Sequence, residues 1–242
     1  MSNIILQENA APLYDFLSLL ESKRAKGELV EEPGILDCGA GGSVPPLAAF
    51  SQLGYGSYGI DISRERLDLA RKYCAEKGIE VDLRQADMRQ IPFEDGFFDC
   101  VYEFYSICHL SHEGTADTIK EMHRVTKEGG YCFLGLISRD TWPASIFGEE
   151  REPGEFWGQE AGKEQLHSMF SDREGDLLMA DWEILSKVKR VMYLRKTARE
   201  MSEDEWMELI PAGEYSREDW RKEYPQRENW RTYAHTFYTL RK

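Results

Sequence analysis

The sequence predicts an α/β fold: a doubly wound, mostly parallel sheet of seven strands, with helices on both faces and an antiparallel last strand. Three observations predict it. Short apolar runs of strand length alternate with segments whose apolar residues recur every three or four positions, at the spacing of βαβ units. The first of those runs enters a glycine cluster, Gly39, Gly41 and Gly42. The chain has 242 residues, a length at which an α/β domain commonly stands alone.

The elements follow in order. Leu13, Phe16, Leu17 and Leu20 share one face of a helix that ends near Gly27. With its flanks this segment, 1–33, forms an N-terminal helical cap. Gly34 to Cys38 is a short apolar run and reads as a buried first strand. Pro45 to Leu53 is a helix with prolines in its first turn, where a missing N–H costs little. Tyr55 to Ile60 is the second strand, and Ser63 caps a helix running to Lys77. Glu80 to Arg84 is the third strand. Phe97 to Phe104 is the fourth, Thr115 to Lys127 a helix closed by Gly129 and Gly130, and Tyr131 to Ile137 the fifth strand. Then the alternation breaks. Asp140 to Gly162 reads as a loop rich in Pro, Gly and aromatic residues, part of a substrate loop spanning 139–170. A short helix near Asp172 to Ala180 leads into a strand from Trp182 to Leu194. An insertion, 195–232, carries two polar helical segments, Glu203 to Leu209 and Ser216 to Tyr224. Tyr233 to Leu240 is the last strand. Two late strands without a full crossover between them imply an antiparallel pair at the sheet edge. The whole is read as one domain.

Composition removes several classes of function. Lys and Arg number 30 against 44 Asp and Glu, for a net charge of -14. Without a basic cluster a nucleic-acid backbone is a poor partner, because its binding depends on clustered Lys and Arg. Small molecules or proteins are favoured instead. No apolar run approaches the roughly 20 residues that span a bilayer, and Met1 to Phe16 has no basic segment leading into an apolar one. A cytoplasmic protein without membrane contact is expected. The five cysteines, Cys38, Cys74, Cys100, Cys108 and Cys132, form no CxxC pair and read as small buried hydrophobes. His109 and His112 make an HxxH, but no Cys or carboxylate cluster accompanies them, so no metal is expected.

The chemistry sits around Asp37-Cys38-Gly39-Ala40-Gly41. Glycines after a strand let the backbone turn tightly and approach a ligand closely. The loop amides and the next helix N-terminus favour a carboxylate, and Asp37 suits an ammonium group. An amino-acid-like ligand satisfies both. A dinucleotide fingerprint needs a third glycine at position 44, which is Val44. Asp61, at the end of the second strand, suits both hydroxyls of a ribose, and Asp87, after the third, suits an adenine amine. Asp61 equally fits a helix cap, and Asp87 an ordinary turn. Taken together, three acids after three successive strands on the carboxyl side of the sheet favour one shared ligand.

These residues resemble the class I S-adenosylmethionine-dependent methyltransferases, and among them the small-molecule branch often called type 11. Asp37 to Gly41 is similar to that family's D-x-G-x-G loop, with Ser43 in place of a frequent third glycine. Gly59-Ile60-Asp61-Ile62-Ser63 resembles its second motif. Ala86-Asp87-Met88 through Phe93 resembles the segment flanking adenine. Phe97 to Val101 and on to Leu110, and Glu121 to Val125 with Gly129-Gly130, resemble the later motifs. The resemblance covers Ile35 to Ile137 and implies a Rossmann-like methyltransferase fold, S-adenosyl-L-methionine as cofactor, and a small-molecule methyl acceptor. It implies cofactor contacts at Asp37, Gly39, Ala40, Gly41, Asp61, Ile62, Asp87, Met88, Glu103 and Phe104. Phe104 stands where Asn or Asp is frequent.

Methyl transfer from a sulfonium needs alignment more than acid chemistry, and a base only where the acceptor loses a proton. The candidates for that base are His109 and Tyr105, just past the fourth strand; His109 also reads as a packed histidine. Tyr14 reads either as a cover over the cofactor or as packing. Trp142, Phe147, Phe156 and Trp157, with Trp206, Trp220, Tyr224 and Trp230, read either as an aromatic lid or as a satellite core. Two rival functions stay open: a non-catalytic S-adenosylmethionine-binding sensor or partner module, and a nicotinamide-dependent oxidoreductase, which Val44 disfavours.

Overall fold

The computed structural model describes residues 11–160, 162–193, 202–204, 216–218, 221 and 232–242. Among them ten strands form one connected sheet. Its main body runs in the order β3 (Asp82–Gln85), β2 (Gly56–Asp61), β1 (Gly34–Cys38), β4 (Phe98–Tyr102), β5 (Thr126–Ser138), β10 (Thr232–Arg241) and β9 (Glu183–Tyr193). Strands β1 to β5 pair in parallel, and β10 runs antiparallel to both β5 and β9. These are the seven strands expected, with the late antiparallel pair at the edge. The chain moves outward from β1 in both directions, so a crevice opens at the carboxyl ends of β1 and β4, where ligands bind in open α/β sheets.

The expected loop at 140–162 is corrected. It contains β6 (Glu149–Glu152) and β7 (Glu155–Glu160), followed by β8 (Lys163–Phe170). These form an antiparallel meander that joins the carboxyl end of β5 through Ile137–Met169 and Ser138–Phe170. The meander therefore stands at the same end of the sheet as the crevice.

Helices cover both faces. On one, α1 (Ala11–Ala25) buries Leu13, Phe16, Leu17 and Leu20. They pack with Phe50 of α2 (Leu47–Gln52), with Leu67 and Ala70 of α3 (Arg64–Lys77), and with Ile35, Tyr102, Phe133 and Phe237 of the sheet. Tyr14 packs against this cluster. On the other face, Ile119, Met122 and Val125 of α4 (His112–Val125) and Met179 beyond α5 (Asp172–Leu178) meet Leu36, Val101, Leu134 and Tyr238. Ser63 caps α3 by accepting from the Arg66 amide, and Gly78 ends it with φ 65°. Helix α4 is capped by Ser111 and stops at Val125, two residues short of its expected end, because Thr126 already has extended geometry. All five cysteines are free and buried. No helix among the described residues is long and apolar enough to cross a membrane. The expected polar helices of the insertion, with Trp206, Trp220, Tyr224 and Trp230, fall almost wholly outside the described residues.

Candidate functional site

The turn after β1 is built to be close-packed. Gly39 has φ 124°, a region that side chains avoid. A Cβ there would strike the Ser106 side chain, and one at Gly41 would strike the Asp61 carboxylate and Arg66 Cβ. The glycines thus bring the segment after β4, the end of β2 and the start of α3 against one turn. The amides of Gly39 and Ala40 both donate to the Ile60 carbonyl, that of Gly41 to Asp61 Oδ2 at 3.0 Å, and that of Gly42 to the Arg66 carbonyl. This corrects the expectation that these amides hold an anion: their hydrogens point back at β2 and α3. What the turn offers a ligand is close backbone approach. Ala40 itself is buried, and its methyl faces Gly59.

Of the three acids, Asp61 is the one presented as a receptor. Its Oδ2 accepts from Gly41 and its Oδ1 from the Ser63 amide at 2.8 Å. Two of about four acceptor positions are thereby used, and the others stay open to a pair of hydroxyls. Asp37, on the adjoining strand, is 2% exposed and accepts from the Tyr102 hydroxyl at 2.6 Å. Burial pushes its pKa up to about 8 against the pull of that hydroxyl, and the charges of Asp61 and Glu103 raise it further. Burial thus favours the protonated form of Asp37. Asp87 is paired with Arg89 at 2.6 Å, accepts the Arg89 amide, and sits at the carboxyl edge beside Met88, whose methyl lies near Gly39. Ile62 is exposed at the same edge.

Glu103 is corrected as a cofactor contact. It has no exposed surface, and its carboxylate accepts from Ser106 and Ile107 through Oε2, each at 3.0 Å, and from Gly135 through Oε1 at 2.8 Å. It is a clamp that shapes the segment after β4 and ties it to β5. Burial raises its pKa to about 7 in spite of those three amides. Phe104 is half-buried and rings with Tyr105, Phe133 and Phe237, so it belongs to the core against α1.

The meander is fastened over this segment. His109 Nδ1 meets the Leu166 carbonyl at 3.1 Å and His112 Nε2 the Met169 carbonyl at 3.1 Å. The His112 amide donates to Glu155, and the Ser168 hydroxyl to the Leu110 carbonyl. The HxxH pair is therefore a staple onto β8. At the far tip, the Lys163 charge acts at a distance on Glu65 at the start of α3, whose carboxyl is lowered mainly by its own amide and by Ser63. The β7–β8 hairpin thus runs from the carboxyl end of β5 over the segment after β4, as a roof.

Under the roof stand both candidates for the base. Tyr105 adopts φ 62° and stacks edge-on to His235 at 4.8 Å; burial pushes its phenol up to about 12, so it stays protonated at neutral pH. His109 is held neutral by burial, which Glu160 opposes and Arg66 reinforces. Phe147 lies against His167 at 4.7 Å and Tyr233 at 6.2 Å, and the Tyr233 hydroxyl meets His235 Nδ1 at 3.0 Å. Phe147 and Phe156 also bury against Cys108, Ile146 and Met169, which is the satellite-core reading. Trp142 is exposed, and Trp157 lies under the Arg151 guanidinium. Glu160, His167, Ser106 and Tyr233 had no signal in the sequence, because folding the hairpin back is what brings them to the crevice. A separate open groove at the amino end of the strands, lined by Gly34, Gly56, Asp82 and Asp99, holds no part of this constellation.

Comparison with known proteins fits this geometry. Residues 36–134 match the sequence profile of a family described as a methyltransferase domain. A ubiquinone biosynthesis O-methyltransferase of Pseudomonas paraeruginosa is 36% identical over 107 residues, covering 44% of this chain and 45% of that protein. A ubiquinone/menaquinone biosynthesis C-methyltransferase of Chromobacterium violaceum is 32% identical over 87 residues, covering 36% of this chain and 35% of the other. The match thus spans about half or less of these curated relatives' length. A solved S-adenosylmethionine-dependent methyltransferase of Methanosarcina mazei shares the fold with a TM-score of 0.63 at 20% identity, over 90% of this chain and 96% of that one. By the sequence profile over residues 36–134 and by sheet order, the chain resembles the class I methyltransferases. S-adenosyl-L-methionine is the cofactor expected of it, and the glycine turn with the pinned, half-open Asp61 suits the ribose of such a nucleoside.

Proposed function

We propose that the protein methylates a small-molecule acceptor, with the cofactor held at the glycine turn and Asp61 and the acceptor held beneath the β7–β8 hairpin. The observation that carries this is the roof itself: Leu166 and Met169 of β8 bond to His109 and His112, which fastens the hairpin over the segment after β4. One crevice is thereby flanked by the turn on one side and by His109 on the other. S-adenosylmethionine, when bound, supplies a methyl group on a sulfonium whose leaving thioether is neutral. The protein's part is alignment, and orientation of this kind is worth on the order of 7–11 kcal/mol.

In this reading Asp61 holds the sugar hydroxyls, and the hairpin excludes water. Tyr105, Phe147 and Tyr233 offer aromatic faces to a flat acceptor. His109, with Nδ1 committed to Leu166, turns Nε2 toward the acceptor and takes a hydroxyl proton there. The names of the curated relatives make phenols and quinols the first class to try. Incubation with methyl-labelled S-adenosylmethionine and a panel of phenols, thiols, amines and carboxylates tests the proposal. Label transferred to a phenol, and lost in His109→Gln with cofactor affinity unchanged, supports it. A protein that binds the cofactor yet methylates nothing in the panel favours the sensor reading, which Phe104 in place of a polar residue leaves standing.

A further inference from the structure

Three side chains gather at the open end of the roof, and neither the glycine turn nor Asp61 accounts for them. His109 comes from the segment after β4, Glu160 from the end of β7, and His167 from β8. One ligand-capable atom from each lies within 4.8 Å of the others. His167 Nε2 is 3.0 Å and His109 Nε2 3.9 Å from Glu160 Oε2, and the two imidazoles meet edge to face at 4.9 Å between centroids. We propose that His109, Glu160 and His167 form a binding site for a divalent transition cation of the zinc class.

The donor set is of the right chemistry. Two imidazoles and one carboxylate are the protein ligands of open, catalytic-type zinc sites, which keep a further position for water or substrate. The spacing is near what such a site requires. Tetrahedral bonds of about 2.0–2.1 Å put ligand atoms about 3.3 Å apart, so the widest separation closes by about 1.5 Å. Glu160 Oε2 already lies 3.0 and 3.9 Å from the two imidazoles, so the closing movement is one of His109 and His167 toward each other.

Both histidines are oriented from behind. The contact of His109 Nδ1 with the Leu166 carbonyl makes it the protonated nitrogen and leaves a lone pair on Nε2, as the outer hydrogen bond of a ligating histidine does. His167 is fixed by its stack on Phe147 at 4.7 Å, with Nε2 turned to Glu160. A net charge of -14 adds a general attraction for cations. On the reading proposed above, the ion holds and ionises an acceptor hydroxyl, whose proton leaves to water, in place of His109 acting alone. Cation binding itself stands apart from that reading.

The test is made on the full chain without methyl donor or acceptor, so that a failure of methyl transfer and a failure of the ion site are told apart. Zn²⁺ is titrated by calorimetry into the wild type, His167→Ala, Glu160→Gln and, as a control histidine on the other face of the sheet, His123→Ala. The expected result is one ion per chain, with affinity falling at least about tenfold in the first two variants and unchanged in the control. Melting temperatures report whether each variant folds. Co²⁺ substitution gives a second readout independent of variants: visible d–d bands without a sulfur charge-transfer band. Absence of stoichiometric binding overturns the proposal. So do a sulfur band, which moves the ion to a cysteine, and unchanged affinity in folded His167→Ala.

Discussion

Glu103 and Asp37 are two buried carboxyls, and their environments set how each behaves with pH. The folded-state pKa of Glu103, about 7 against an ordinary 4.5, means that the folded protein keeps a proton which the unfolded chain gives up. The stabilisation is complete below about pH 4.5 and is lost as pH rises through about 7. Glu103→Gln flattens that part of the stability curve and destabilises by about 1–3 kcal/mol, because an amide loses its acceptor. Chemical denaturation at successive pH values checks both; an unchanged slope contradicts the assignment. Asp37, at about 8, is mostly protonated at pH 7, so an incoming ammonium group draws a proton out of it. Calorimetry of S-adenosylhomocysteine in buffers of different ionisation enthalpy detects that release at pH 7, and Asp37→Asn abolishes it. No proton release in the wild type means that Asp37 does not meet the amine. The position of Asp61 at the end of the second strand was legible in the sequence. The role of Glu103 was not, because a carboxylate aimed at backbone amides has the same sequence signature as one aimed at a ligand.

At the scale of elements, β1, β4 and the second half of β5 were legible because parallel strands buried on both faces read as continuous apolar runs, while β2 and β3 were legible from their place between helices. Helix starts were legible where capping chemistry is local: Ser63→Ala removes the bond to Arg66 and costs about 1 kcal/mol, measurable as a lower melting temperature. The meander was not legible. Its strands carry the charges of Glu149 to Glu152 and are broken by Gly154, Gly158 and Gly162, so its composition is that of a loop. Only pairing with β5 and the bonds from the segment after β4 make it a sheet. His112→Ala removes one of those bonds, so hydrogen exchange in residues 155–170 accelerates while that in β1 does not. Equal protection in the variant shows that the hairpin holds without its staple.

For the whole molecule, the division between what is shared and what is its own falls near the end of β5. The family match ends at residue 134, before the meander, the late strand pair and the region between them. On the reading proposed above, the turn and Asp61 that hold the nucleoside lie inside the matched span, and the walls around the acceptor lie outside it. The sheet order, the reversed last strand and the glycine turn all serve to set Asp61 beside an open carboxyl edge under a fastened hairpin.

The measurement that bears most directly on this account is a calorimetric titration of S-adenosylhomocysteine into the wild type and Asp61→Ala. The account predicts one site per chain in the wild type and a loss of about ten- to hundredfold in the folded variant, since a hydrogen bond to a charged acceptor is worth about 1.5–3 kcal/mol. Equal affinity in the two proteins would contradict it.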